Sequence, residues 1–196
     1  MDVLAALGFA TPGLRAVFLG LSVVWIGVEL GLLAREGVHL VAPGDRASAL
    51  AIIASVGLAS NLGLLSALLG WGAMPGSGGR WLGLGLMAGG IVFRLWALAT
   101  LGRFFTATVR TQVGQGVIRH GPYRLLRHPS YTGTLLTLAG FGLALGTGVG
   151  TVLLLAIPAP AYLYRMQVEE RALLAAWDGA YATYMQQSWR LIPWVW

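Results

Sequence analysis

The chain has no cysteine, no lysine and little charge of either sign. Among its 196 residues are 13 Arg, 7 Asp or Glu and 3 His. Without cysteine there is no disulfide framework, no thiolate metal site and no cysteine nucleophile. Charged residues make up 10% of the chain, against about 25% in a soluble domain. Hydrophobic residues make up 57%, and the mean hydropathy is +0.73. A soluble core of this size has no room for so much apolar surface. Soluble globular, disordered and disulfide-rich classes are therefore excluded, and an all-α polytopic integral membrane protein is expected. A net charge of +6 on a soluble protein would suggest nucleic acid. Here no nucleic-acid partner is expected, and the arginines are read as lying at the cytoplasmic membrane face among anionic lipids. The start, Met1-Asp2, has no basic stretch, so no cleaved signal peptide is expected.

What is present is long apolar runs. A spanning helix needs about 20 apolar residues. The first candidate covers about 14–34, with Glu29 near its end. The second lies within 47–74 and carries no charge, and 75–79 (Pro-Gly-Ser-Gly-Gly) reads as a turn. The third covers 81–101 and contains Arg94. Residues 102–128 are too polar to span, with five Arg and two His. Residues 129–164 then lack any charge, which is too long for one span. Gly146-Thr147-Gly148-Val149-Gly150 divides them into a hairpin of two short helices, the second kinked by Pro158 and Pro160. From Arg165 the chain is amphipathic.

These runs predict about five transmembrane helices with a cytoplasmic cofactor pocket. Residues 1–101 form a three-helix part and 102–196 a catalytic region. With the N-terminus outside, ten Arg fall on inner segments and only Arg15 and Arg80 on outer ones. The positive-inside rule then favours a cytoplasmic C-terminus and active site, in what is expected to be a prokaryotic cytoplasmic membrane. Small-residue pairs four apart, Gly27/Gly31, Gly85/Gly89 and Gly142/Gly146, predict close helix packing. Asn61 is expected to bond between helices, and Glu29 to lie at the interface. Arg94 either snorkels to the interface or lines a pocket. His39 and His120 lack ligand partners at useful spacing, so no metal is expected.

Polarity is concentrated against the membrane in two stretches, 102–131 and 165–190. Arg and His precede Pro129, which is suited to the first turn of a helix, and together they form a natural anion site. Tyr123 and Tyr131 offer flat faces for a base or a cation. Glu169 and Glu170 add carboxylates at the same membrane face. S-adenosylmethionine, with its carboxylate, ammonium, adenine and sulfonium, matches this set. Headgroup anchoring by the Arg and His, with Glu169 and Glu170 in a solvated helix turn, accounts for the same residues.

Arg127-His128-Pro129-Ser130-Tyr131-Thr132-Gly133 resembles the RHPxYxG signature of the isoprenylcysteine carboxyl methyltransferase family, integral membrane enzymes related to phospholipid methyltransferases. The resemblance extends over about 83–195. It takes in Arg94-Leu95-Trp96-Ala97, Leu101 to Phe105, Gly121-Pro122-Tyr123, Glu169-Glu170, Tyr181, Tyr184 and Arg190-Leu191-Ile192-Pro193. It implies methyl transfer from S-adenosylmethionine, leaving S-adenosylhomocysteine, to a lipid-like or prenylated acceptor such as an isoprenylcysteine carboxylate. It also implies that Gln115, Gly116, Val117 and Ile118 line the adenosine, and that Tyr123 contacts the cofactor. His128, Pro129, Ser130 and Tyr131 would surround the amino-acid part of the donor. Glu169 would bind the donor, Arg165 would be the substrate-side arginine, and Arg94 would contribute to the substrate wall. The family often has His where Gln115 stands. At a spacing of four, Arg165 and Glu169 share a helix face, while Glu170 is either a site residue or a structural partner. Alternatives are a phospholipid, amine or thiol acceptor, an NADPH-dependent membrane reductase (relatives that carry Asn at the position of Ser130), and a non-enzymatic scaffold.

Overall fold

A computed structural model describes residues 3–9, 11–36, 43–102 and 116–195. The described chain is all-helical. It comprises α1 (Val3–Ala6), α2 (Pro12–Glu36), α3 (Pro43–Leu68), α4 (Gly78–Leu101), a 3-10 turn (Gly121–Arg124), α5 (Pro129–Ala144), α6 (Gly148–Ala156) and α7 (Ala159–Gln186). Four stretches are long and apolar enough to cross a membrane: Pro12–Ala34, Ala47–Leu68, Gly78–Leu101 and Gly148–Trp177. Their outer surfaces carry Val23, Ile26, Leu30, Leu58, Leu82, Val92 and Val152 exposed, as a lipid-facing surface requires. The protein is an all-α polytopic integral membrane protein.

The tightest packing in the bundle is between α4 and α5, which run antiparallel. A Cβ added at Gly90 would lie 2.6 Å from the Gly133 carbonyl, and one at Gly133 would lie 2.8 Å from the Gly90 carbonyl and from the Arg94 Cβ. Gly83 and Gly140 are crowded in the same way further along the seam. In lipid no hydrophobic force drives helices together, so this backbone-to-backbone contact is what holds the pair. The pairs expected at Gly27/Gly31 and Gly85/Gly89 meet nothing within 4 Å among the described residues. Gly85 lies about 200° around the helix from Gly83, so it faces away from the seam. Four-residue spacing marks a stripe of small residues without showing which stripe meets a neighbour. Gly142 does pack, against Thr151 of α6.

The hairpin of α5 and α6 turns at Gly146, whose φ of 73° lies in the left-handed region that favours glycine. The turn is tied to the α3–α4 loop: Met74 N donates to Gly146 O (2.8 Å), Gly148 N to Gly72 O (2.8 Å), and Thr147 Oγ1 to Trp71 O (2.7 Å). These bonds satisfy backbone groups that lipid leaves without partners. In the second arm Pro158 and Pro160 interrupt the hydrogen-bond ladder between α6 and α7, while Ile157 and Pro158 keep right-handed helical angles, so Gly148–Trp177 is one crossing stretch kinked at the prolines, as expected. α7 then runs unbroken to Gln186, carrying Arg165, Glu169 and Glu170 on the helix that leaves the bundle. The core follows the α4–α5 seam, with Trp25, Ala59, Met87, Ile91, Leu138 and Leu154 packed at its centre. Among the described residues Asn61 makes no bond to another helix. Its Nδ2 donates to Gly57 O at 2.8 Å on its own helix, satisfying the amide locally.

Candidate active site

The site is built where α5 begins, α7 passes and the C-terminal segment folds back. His128 is the N-cap residue of α5 and Pro129 its first residue. The backbone around them is fastened to the segment after α7. Trp189 N donates to Leu125 O (2.8 Å), Arg127 N to Trp189 O (2.7 Å) and His128 N to Arg190 O (3.1 Å). The Thr132 hydroxyl donates to Leu191 O (2.8 Å). Tyr184 OH donates to the carbonyls of Tyr123 (2.7 Å) and Leu126 (3.0 Å), and burial pushes its pKa up to about 12. Arg127 Nη1 donates to the carbonyls of Met185 and Ser188, both at 2.7 Å, capping the end of α7.

Two adjacent carboxylates on α7 meet this frame in different ways. Glu170 is almost fully enclosed, its side chain 5% exposed. It accepts from Arg127 Nε (3.0 Å), His128 Nε2 (3.2 Å), Arg190 Nε (3.1 Å) and Arg190 Nη2 (2.5 Å). Glu169 keeps 21% of its side chain exposed. It accepts from Arg165 Nε (2.9 Å) one turn earlier and from the Tyr131 hydroxyl, and its Oε2 lies 3.3 Å from His128 Nδ1. Arg165 is itself buried and is held from α3 by Ser48 Oγ, to which its Nη1 donates at 2.9 Å.

His128 thus lies between two carboxylates, one on each ring nitrogen. A neutral imidazole has one N–H and can donate to only one of them, whereas the imidazolium donates to both. Burial alone would lower its pKa, but the hydrogen bonds and charges of Glu169 and Glu170 outweigh burial and hold it above 6.5. Its ring stacks on Tyr131 (centroids 5.6 Å apart, 11° between planes), and Tyr131 packs on Tyr162. Tyr123 is buried, and burial together with the Glu169 charge holds its hydroxyl well above the usual range.

Of the residues singled out from sequence, His128, Tyr131, Arg165 and Glu169 are brought into direct contact. Pro129 is buried beneath them. Ser130 turns toward α4, where its carbonyl and hydroxyl accept from Arg94 Nη1 at 3.3 and 3.1 Å. Gly116, Val117 and Ile118 lie in an irregular stretch, Gly116 exposed and the other two half-buried. Gln115 lies outside the described residues. Arg94 and Glu29 pair at 3.0 Å, and Arg94 also donates to the Thr134 hydroxyl, so α2, α4 and α5 are linked. Sequence reasoning passed over Arg127 and Arg190 as partners of Glu170. Both stand in stretches that carry the family resemblance, but their carboxylate is 43 and 20 residues away.

The pattern of the phospholipid methyltransferase family matches residues 79–178, which contain most of this cluster. Protein-S-isoprenylcysteine O-methyltransferase A of Arabidopsis thaliana is 30% identical over 154 residues, 76% of this chain and 78% of that protein. The chain belongs to this family of membrane methyltransferases. A probable protein-S-isoprenylcysteine O-methyltransferase of Oryza sativa subsp. indica is 29% identical over 117 residues, 59% of this chain and 61% of that protein. The fold is similar to the solved eukaryotic intramembrane Ras methyltransferase, isoprenylcysteine carboxyl methyltransferase. The TM-score is 0.61 at 21% identity, covering 95% of this chain and 69% of that one. Membership decides for the methyltransferase reading over the reductase and scaffold alternatives, and the family draws its methyl group from S-adenosylmethionine.

Proposed function

We propose that this methyltransferase binds S-adenosylmethionine around Glu169 and methylates a lipophilic acceptor that presents an anionic group, a carboxylate of the isoprenylcysteine kind, to Arg165. The observation that carries the reading is the unequal treatment of the two carboxylates. Glu170 is saturated by protein donors, whereas Glu169, between Arg165, Tyr131 and His128, retains an accessible share. A carboxylate of that kind suits the donor's ammonium. The stretch Gly116, Val117 and Ile118 offers backbone and apolar contacts to the adenosine. Tyr123, His128, Pro129, Ser130 and Tyr131 enclose the rest of the donor. The bound donor supplies an electrophilic methyl group on a sulfonium.

The protein's part is alignment and exclusion of water. Arg165 is fixed on two sides, by Glu169 and by Ser48, so its planar fork is preorganised for a carboxylate. A carboxylate acceptor is already nucleophilic, so no residue has to remove a proton from it. A phospholipid, amine or thiol acceptor is the second reading, and an ammonium acceptor would need a base.

In this proposal α5 is a fifth span. Its 16 residues reach about 24 Å, which suffices when its start lies at the cytoplasmic interface. The N-terminus is outside, and the donor enters from the cytoplasm. Residues 102–196 form the catalytic region, while 1–101 anchor it and contribute Ser48, Glu29 and Arg94.

The test is S-adenosylhomocysteine binding by calorimetry to wild type and Glu169→Gln, alongside labelled methyl transfer to prenylcysteine, phospholipid, quinone-like and thiol acceptors. Loss of one charge-assisted bond is expected to weaken binding about 10- to 100-fold. Unchanged affinity in a folded Glu169→Gln protein removes Glu169 from the donor site. Transfer only to a neutral or cationic acceptor removes Arg165 from the acceptor role.

A further inference from the structure

After α7 the chain folds back and runs beside the start of α5 in the same direction. Trp189 bonds to Leu125 and Arg127, Arg190 to His128, and Leu191 to Thr132, in the first turn of α5. Leu191 is buried in this contact. Thr132 adjoins Gly133, whose neighbours on α4 are Gly90 and Arg94. The apolar run of α4 continues from Arg94 to Leu101, about 10 Å further along the axis. Residues 192–195 therefore begin at a depth that the apolar surface of α4 already occupies.

The side chains there face outward. Ile192, Trp194 and Val195 are exposed, as are Leu125 and Trp189 at the bonded end and Leu136 one turn further along α5. Together they continue the lipid-facing surface of the bundle. Arg124, next to Leu125, is exposed, and so is Arg119. No Asp or Glu stands in 116–132 or in 187–195. Apolar and indole side chains under a cationic rim match the interfacial layer of a bilayer that contains anionic lipids.

Trp194 gives a second, independent indication. Val195 N donates to Ile192 O (3.2 Å), closing a turn with Pro193 and Trp194 at its centre. Trp194 has a φ of 61°, the one positive φ outside glycine among the described residues. That position of a type II turn usually carries glycine or asparagine. A bulky side chain there is strained, and it persists only where other contacts hold it. Trp194 is 84% exposed, so protein contacts do not supply that hold.

We propose that 189–195 is a membrane-docking clasp. Trp189, Ile192, Trp194 and Val195 sit in the interfacial layer of the bilayer beside α5, with Trp194 as the anchor at the headgroup level. The bilayer supplies the contacts that hold the strained turn, and the docked clasp keeps Arg190 on Glu170.

The test uses the full chain in nanodiscs of phosphatidylcholine and phosphatidylglycerol. Trypsin cleavage after Arg190, followed by mass spectrometry, tracks how often the clasp lifts off. Glycine suits the turn better than tryptophan, so if Trp194 merely faced water, Trp194→Gly would slow cleavage or leave it unchanged. A docked indole gives the opposite sign: cleavage of Trp194→Gly is expected to be about tenfold faster than wild type, the factor that losing part of one large apolar burial implies. Trp194→Phe, which keeps an aromatic ring, locates the indole directly. The fluorescence lost on that substitution is the Trp194 share. It is expected to be quenched by phosphatidylcholine brominated near the headgroup end of its chains and shielded from acrylamide in the buffer. Slower or unchanged cleavage of Trp194→Gly overturns the proposal. So does a Trp194 share open to acrylamide, or one shielded without lipid quenching, which would place the segment against protein such as a second copy of the chain.

Discussion

Removing the Glu170 carboxylate would strand three cationic side chains at one buried junction. Glu170 receives Arg127, His128 and Arg190, whose side chains are 12%, 5% and 20% exposed. These three come from the start of α5 and from the segment after α7, so the carboxylate is the common anchor of both. Glu170→Ala leaves the cations facing each other with little water to screen them. Breaking a buried ion pair by removing one partner costs about 3–5 kcal/mol. For a chain of this size each kcal/mol corresponds to roughly 2–4 °C, so the midpoint should fall by roughly 6–20 °C. Thermal unfolding in detergent measures this, with limited proteolysis reporting release of the segment after Gln186. Glu169→Gln should lose less stability, because its side chain keeps a larger share of solvent. A loss for Glu170→Ala no larger than a surface pair would give, under about 1 kcal/mol, would refute the view of Glu170 as a structural anchor. Equal losses at both positions would refute the division of roles between them.

Three further outcomes follow from the same geometry. The His128 pKa is raised above its unfolded value of 6.5, so its contribution to stability is fully present below pH 6.5 and declines as pH rises through the folded pKa. The unfolding midpoint should therefore drop across that window in wild type, and the His128 component should be absent in His128→Asn; identical pH profiles would exclude an imidazolium. Along the α4–α5 seam, Gly90→Ala should cost about 1–3 kcal/mol by overpacking, whereas Gly89→Ala, which meets open space, should be neutral or slightly stabilising in thermal melts. For the Glu29–Arg94 pair, Glu29→Gln and Arg94→Gln should each destabilise more than the double substitution does. Additive losses in a double-mutant cycle would show that the 3.0 Å pair carries no coupling.

Much of the candidate site was legible along the chain because its key contacts are local or carried by a compact motif. Arg165 and Glu169 lie one turn apart, so helix periodicity alone places them together. His128 to Tyr131 arrive as one run at a helix start marked by Pro129. The Arg127–Glu170 and Arg190–Glu170 contacts were not legible, because each joins two segments through the path of the backbone between them. Ser48 reaches Arg165 across 117 residues, and no local pattern distinguishes it from the other small polar residues of α3. Glu29 and Arg94 looked like separate interfacial charges until α2 and α4 were brought side by side.

The near absence of charge and the length of the apolar runs determined by themselves that this is a helical membrane protein, since a bilayer admits no uncompensated backbone and little charge. The heptad beginning at Arg127, together with the matching stretches over about 83–195, pointed to its family. Tertiary structure alone decided which glycines form the helix seam, because 29 glycines offer several small-residue stripes and only the facing helix selects one. It also decided which of two neighbouring glutamates is enclosed. Adjacent residues on a helix point about 100° apart. The fold-back of the C-terminal segment therefore covers Glu170 and leaves Glu169 partly open, a difference that no reading of two identical letters contains.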